Sequence, residues 1–135
     1  MAYITTAQAH LALITALLAN LPTGFTSAKV KLPNRSMISG YENSAWLRPT
    51  VIVSDSPINA ADGNIERTEG FFVVDVIFPI GDDTASHRAT ADEIKASFKG
   101  QTFDDVKCQS VTIADNPDDY FYIIQVSIDF YFESA

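Results

Sequence analysis

"EGFFVVDVIFPIGDDTASHRATADEIKASF", Glu69 to Phe98, changes period in its middle and so decides the fold class. From Phe71 to Phe78 the side chains alternate: Phe72, Val74, Val76 and Phe78 share one face, and Phe71, Val73, Asp75 and Ile77 share the other. Both faces are mostly apolar, which predicts a central strand covered on both sides. Pro79-Ile80-Gly81 ends it. A helix is expected next, capped by Thr84 or Ser86, with His87, Ala91, Ile94 and Phe98 as its stripe and Gly100 closing it.

Upstream, an N-terminal helix is predicted, with Thr5 or Thr6 as its cap and Ala7, Leu11, Ile14, Leu17, Leu18 and Leu21 at helical spacing. Pro22 and Gly24 stop it, and Leu13 lies off the stripe. Ala28 to Leu32 alternates briefly before Pro33 and reads as an edge strand followed by irregular chain. Trp46 to Ser54 reads as a fuller strand, in which Pro49 points to an edge or a bulge. Ser54 to Thr68 is polar and rich in turn formers, with Asp62-Gly63-Asn64 as its tip, and fits an extended hairpin arm or a mobile loop. Downstream, Val106 to Ala114 is a strand and Asp115 to Asp119 a turn. Tyr120 to Phe132 is the last strand. Its apolar face holds Tyr122, Ile124, Val126, Ile128, Phe130 and Phe132. Gln125, Ser127, Asp129 and Tyr131 form a half-wet face.

These elements predict one α+β domain over residues 1–135: a mainly antiparallel sheet of about four to five strands with two helices packed on it. Hydrophobic residues make up 47% and charged residues 19%, a globular composition. The net charge of −8, with the basic residues scattered, argues against a protein that grips nucleic acid by its phosphates. The lone Cys108 rules out an internal disulfide and points to a reducing compartment. The apolar N-terminal run is too short and interrupted to span a bilayer, so no membrane partner is expected.

Little in the chain suggests chemistry. Cys108 lies mid-strand, away from any helix N-terminus that would lower its pKa, and is expected to fill space. His87 sits on a helix stripe and reads as a packing residue. Asp82 and Asp83 precede the helix, where its dipole favours carboxylates. Asp115, Asp118 and Asp119 lack the spacing of a calcium loop. No metal or cofactor is expected.

The combination of the N-terminal helix, "WLRPTVIV", a polar loop, the Glu69–Phe98 stretch and the closing "YFYIIQVSIDFYF" resembles the tail terminator (minor tail, tail-completion) proteins of long-tailed siphophages. The most specific parts are Glu69-Gly70-Phe71 running into Pro79-Ile80-Gly81, the helix from Ala89 through Ile94 to Phe98, and "VSIDFYF". The resemblance implies an α+β subunit that forms a hexameric ring on the head-proximal end of the tail tube in the virion, after synthesis in the host cytoplasm. It implies as partners other copies of the chain, the tail tube protein and a head-completion or neck protein, with DNA passing through the channel without sequence-specific binding. On that reading Ile58, Asn59, Asp62, Asn64 and Ile65 are candidate partner-contact residues, and Asp82, Asp83, Asp118 and Asp119 are candidate lumen carboxylates. The competing expectation is a small ligand-binding module or hydrolase using a helix–sheet cleft rimmed by Asp82, Asp83 and His87.

Overall fold

The computed structural model describes residues 3–33, 35–54, 58–59 and 66–134. Helix α1 (Thr6–Ala19) leads into a short 3-10 turn (Ser27–Lys29) and then strands β1 (Trp46–Val53), β2 (Ile58–Asn59) and β3 (Glu66–Pro79). Helix α2 (Thr84–Phe98) follows, and β4 (Thr102–Phe103), β5 (Val106–Asp115) and β6 (Phe121–Ser134) complete the chain. The sheet is antiparallel in the order β1-β3-β6-β5-β4, with β2 also paired to β3, so the fold is α+β as expected. Because β3 and β5 are both antiparallel to β6, they run parallel to each other. Their connection must therefore cross β6, and α2, which packs on β6, β5 and β3, makes that crossing.

Both helices bury against one face of the sheet. Phe72, Val74, Val76 and Phe78 of β3 and Ile124, Val126, Ile128, Phe130 and Phe132 of β6 form its core, with Leu13, Leu17, Ile94 and Phe98 from the helices. The second face has a smaller cluster at one end, where Trp46, Ile77 and Ile123 are packed beneath Ile38, Tyr41 and Phe121. The expectation that β3 is covered on both sides thus holds for Val73, Asp75 and Ile77 but not for Phe71, which is 50% exposed beside Ile52 of β1 at 51%.

Several local expectations are corrected. The buried face of α1 runs through Ala9, Ala12, Leu13, Ala16 and Leu17, while Leu11 and Leu18 face outward. Leu13 belongs to the stripe after all, because small alanines let the helix lie close to the sheet. Thr5 is the cap, in a reciprocal capping box with Gln8. The Ala28–Leu32 edge strand is instead the 3-10 turn, followed by a single parallel bridge from Val30 to Leu47. In α2 the cap is Asp83, whose Oδ1 accepts the Ala85 N–H at 3.0 Å, rather than Thr84 or Ser86.

Pro49 sits on the edge strand. Leu47 turns its carbonyl outward to accept the Lys31 N–H, so Pro49, two residues on, also faces away from β3 and removes no ladder bond. A bulge between Cys108 and Val111 shifts the β5 register against β6, so the core-facing set changes from Val106 and Cys108 to Val111 and Ile113. Gly70 is required by close approach. A Cβ there would lie 2.2 Å from the Ile52 carbonyl oxygen and 2.8 Å from the Phe130 ring.

Candidate functional site

The β3 register divides the molecule into two ends. At one end Pro79 pairs with Phe121, which brings the β3–α2 turn and the β5–β6 turn side by side. Asp82, Asp83, Asp118 and Asp119 all lie in these two turns, and Asp115 closes β5 next to them. The four sequence-nominated carboxylates therefore share one end of the fold. At the other end β2 extends β3 through Ile58–Arg67 and Asn59–Glu66 pairing, so the polar segment begins as a hairpin arm. Asp62, Asn64 and Ile65 lie outside the described residues. The chain's C-terminal strand and the start of α1 meet at this arm end, where the Ile4 N–H donates to the Glu133 carbonyl.

The carboxylate-rich end is held rigidly. Asp118 Oδ1 accepts the Phe121 N–H at 2.7 Å and the Tyr120 N–H at 2.8 Å, and these bonds hold its carboxyl below the usual aspartate value. Asp115 accepts the Tyr122 hydroxyl at 2.5 Å and pairs with Arg88 of α2. The Tyr122 bond first, then Arg88, lowers the Asp115 pKa, and the same bond raises that of Tyr122. Across the fold, Glu93 of α2 accepts the Thr23 N–H at 2.7 Å and its hydroxyl at 2.9 Å, so α2 is tied at two points to neighbouring loops.

His87 and Cys108 are used in packing. The His87 ring stacks on Phe78 with centroids 4.0 Å apart, and its Nε2 lies 3.5 Å from Asp82. Phe78 stacks in turn on Tyr122. A shallow cavity of about 320 Å³ borders His87, lined also by Thr23, Lys29, Ser44, Ser86 and Thr90. Ser86 donates its hydroxyl to the Asp83 carbonyl, as a helix-cap residue does. Cys108 is buried, and burial pushes its thiol up to about 12, far from a reactive thiolate. Among the described residues no cluster of three or more His, Cys, Asp or Glu side chains converges on a metal position. Nor is any helix of the described residues long and apolar enough to cross a membrane.

Sequence reading missed one feature of the open sheet face. Asp75, 6% exposed, receives the Arg48 guanidinium on Oδ2, with Nη2 at 3.0 Å and Nε at 3.2 Å. Its Oδ1 is buried without a hydrogen-bond partner among the described residues. The signal was present as an aspartate in an otherwise apolar strand.

The model of the phage tail terminator protein family matches residues 10–130. The chain belongs to that family. The match spans both helices apart from the first turn of α1, and nearly all of the sheet. No curated protein matches the chain. A solved structure whose name gives no function superposes with a TM-score of 0.64 at 19% identity, covering 96% of each chain, which shows a shared fold alone. For a phage tail terminator, a structural role in the tail accords with a molecule whose His87 and Cys108 are used in packing and whose two ends differ in character.

Proposed function

We propose that this terminator forms a hexameric ring on the head-proximal end of the tail tube, stops the tube protein from polymerising and offers the surface to which the head or neck joins. The work is structural rather than catalytic. The observation that carries the reading is the family match over residues 10–130, together with the two-ended architecture. The arm that begins at Ile58 and Asn59, with Asp62, Asn64 and Ile65 in the same segment, contacts an adjoining ring. At the other end Asp82 and Asp83 are assigned to the channel wall, where exposed carboxylates repel DNA phosphates and ease passage. Asp118 and Asp119, in the β5–β6 turn at the same end, are assigned to the same wall.

The test is a tube-growth assay. Purified tube protein polymerising alone is expected to give a broad length distribution. Adding this chain should arrest elongation, with the chain located at one tube end by electron microscopy. Tubes that grow unchanged at saturating amounts of the chain would refute the capping role.

A further inference from the structure

Across the sheet, in the order β1-β3-β6-β5, every neighbour is antiparallel, so the two outer long strands run in opposite directions. Each has a stretch whose outward backbone groups receive no bond among the described residues. On β1, the Ser54 N–H donates to the Glu69 carbonyl at 2.8 Å. By alternation Ile52 also faces β3, while Val51 and Val53 turn their N–H and carbonyl groups outward. On β5, the Asn116 N–H donates to the Ile123 carbonyl at 2.7 Å, so Thr112 and Ala114 face β6 while Val111 and Ile113 point outward. Strand β4 pairs only with Val106 and Lys107, and Gly100 and Gln101 reach only Gln109 and Cys108. On the far edge the Lys31 bond stops at Leu47.

Open edges are normally blunted by charge, because their unpaired N–H and carbonyl groups invite another strand. Thr50 to Val53 reads Thr-Val-Ile-Val and Val111 to Ala114 reads Val-Thr-Ile-Ala, and neither stretch carries a charge. The side chains match as the backbones do. Val51 and Val53 lie at one margin of the main core and Val111 and Ile113 at the opposite margin, all partly buried on the helix-covered face. On the other face Thr50, Ile52, Thr112 and Ala114 are exposed. A strand laid on either edge extends the core on one face and meets small or β-branched side chains on the other.

Resting on the ring reading above, we infer that the two edges cover each other between copies, β5 of one subunit pairing antiparallel with β1 of the next. An even number of long strands makes this possible. A second copy, rotated about an axis running roughly along the strands, presents its β1 antiparallel to the β5 it meets, and the alternation continues across the joint. The contact is heterologous and can repeat around a closed ring. The register that uses the outward groups sets Val53 opposite Val111 and Val51 opposite Ile113, with Ile52 opposite Thr112 between them.

Paired cysteines test it. In that register Ile52 and Thr112 form a non-hydrogen-bonded pair with Cα atoms about 4.5 Å apart, within the span of a disulfide. Within one copy they are three strand spacings apart, about 14 Å, too far to bridge. Both side chains are exposed, and Cys108 is buried away from oxidant. A chain carrying Ile52→Cys and Thr112→Cys, assembled on tubes and oxidised, should give a ladder of covalent multimers on a non-reducing gel. The two single variants mixed should give dimers and nothing larger. A second variant, Val51→Pro, removes an outward N–H without touching a bond to β3, and should weaken association about tenfold in sedimentation. A wild type that assembles while the paired-cysteine chain gives no ladder, or while Val51→Pro associates equally well, overturns the edge pairing. A wild type that remains monomeric at every concentration, with or without tubes, overturns the ring reading itself.

Discussion

Gly70 shows how a single residue can set the geometry of a sheet. The Phe130 ring occupies the space over Gly70 on the strand opposite, and the Ile52 carbonyl closes the other side. The Gly70→Ala substitution should therefore destabilise the fold by about 1–3 kcal/mol through overpacking, read as a lowered denaturant midpoint at unchanged slope. An unchanged midpoint would mean that the strand yields. A glycine within an apolar strand is legible in the sequence, but its partner Phe130 is not, since only the β3–β6 register pairs them. Asp115 makes a pH-dependent contribution. Its folded pKa is lowered, so the stability it adds is present above the unfolded carboxyl value and is lost as pH falls through the folded one. Asp115→Asn should thus be destabilising near neutral pH, with melting temperatures converging on wild type in acid. A constant difference across that range would contradict the assignment. The His87 and Cys108 readings are the safest at this scale, because helix stripe and mid-strand position already assign both to packing. Replacing both with alanine should lower the melting temperature, by loss of the Phe78 stack and of a core side chain, yet leave tube capping intact. A folded double variant that cannot cap would restore a chemical role.

At the scale of elements, legibility followed length and regularity. The alternation of β3 and β6 and the period of α2 announced themselves, and their boundaries shifted by a few residues. Three features were hidden for physical reasons. The stripe of α1 is built on Ala9, Ala12 and Ala16, whose small side chains carry a weak hydrophobic signal, while Leu11 and Leu18 carry a strong one and face solvent. Strand β4 is two residues long, and its hairpin to β5 turns through Asp104 and Asp105, both with positive φ, where Asn-Gly would have been the recognisable signature. The bulge in β5 breaks the alternation that would have marked its buried face. Candidate-site legibility was uneven in the same way. The clustering of Asp82, Asp83, Asp118 and Asp119 at one end depends on Pro79–Phe121 pairing, a contact between distant segments. The arm, by contrast, was foreshadowed by composition, and β2 shows its base. Deleting 58–64 should leave the melting temperature nearly unchanged, because the core lies elsewhere, while abolishing capping. Tails of normal length in a phage carrying the deletion would reduce the arm to a connection.

The whole molecule has a filled core on one sheet face and its distinctive groups at the periphery. The arm marks one end and the carboxylates the other, with Phe71 and Ile52 exposed between them. Such a distribution suits a part that is packed against on several sides, as a component of a tail is. The measurement that bears most directly on this account is electron microscopy of the head-proximal end of assembled tails, averaged with symmetry tested rather than imposed. The account predicts one ring of six copies seated on the last tube ring, with the arm toward an adjoining ring and Asp82 and Asp83 toward the channel. A different copy number, or a tail end that lacks this chain, would contradict it.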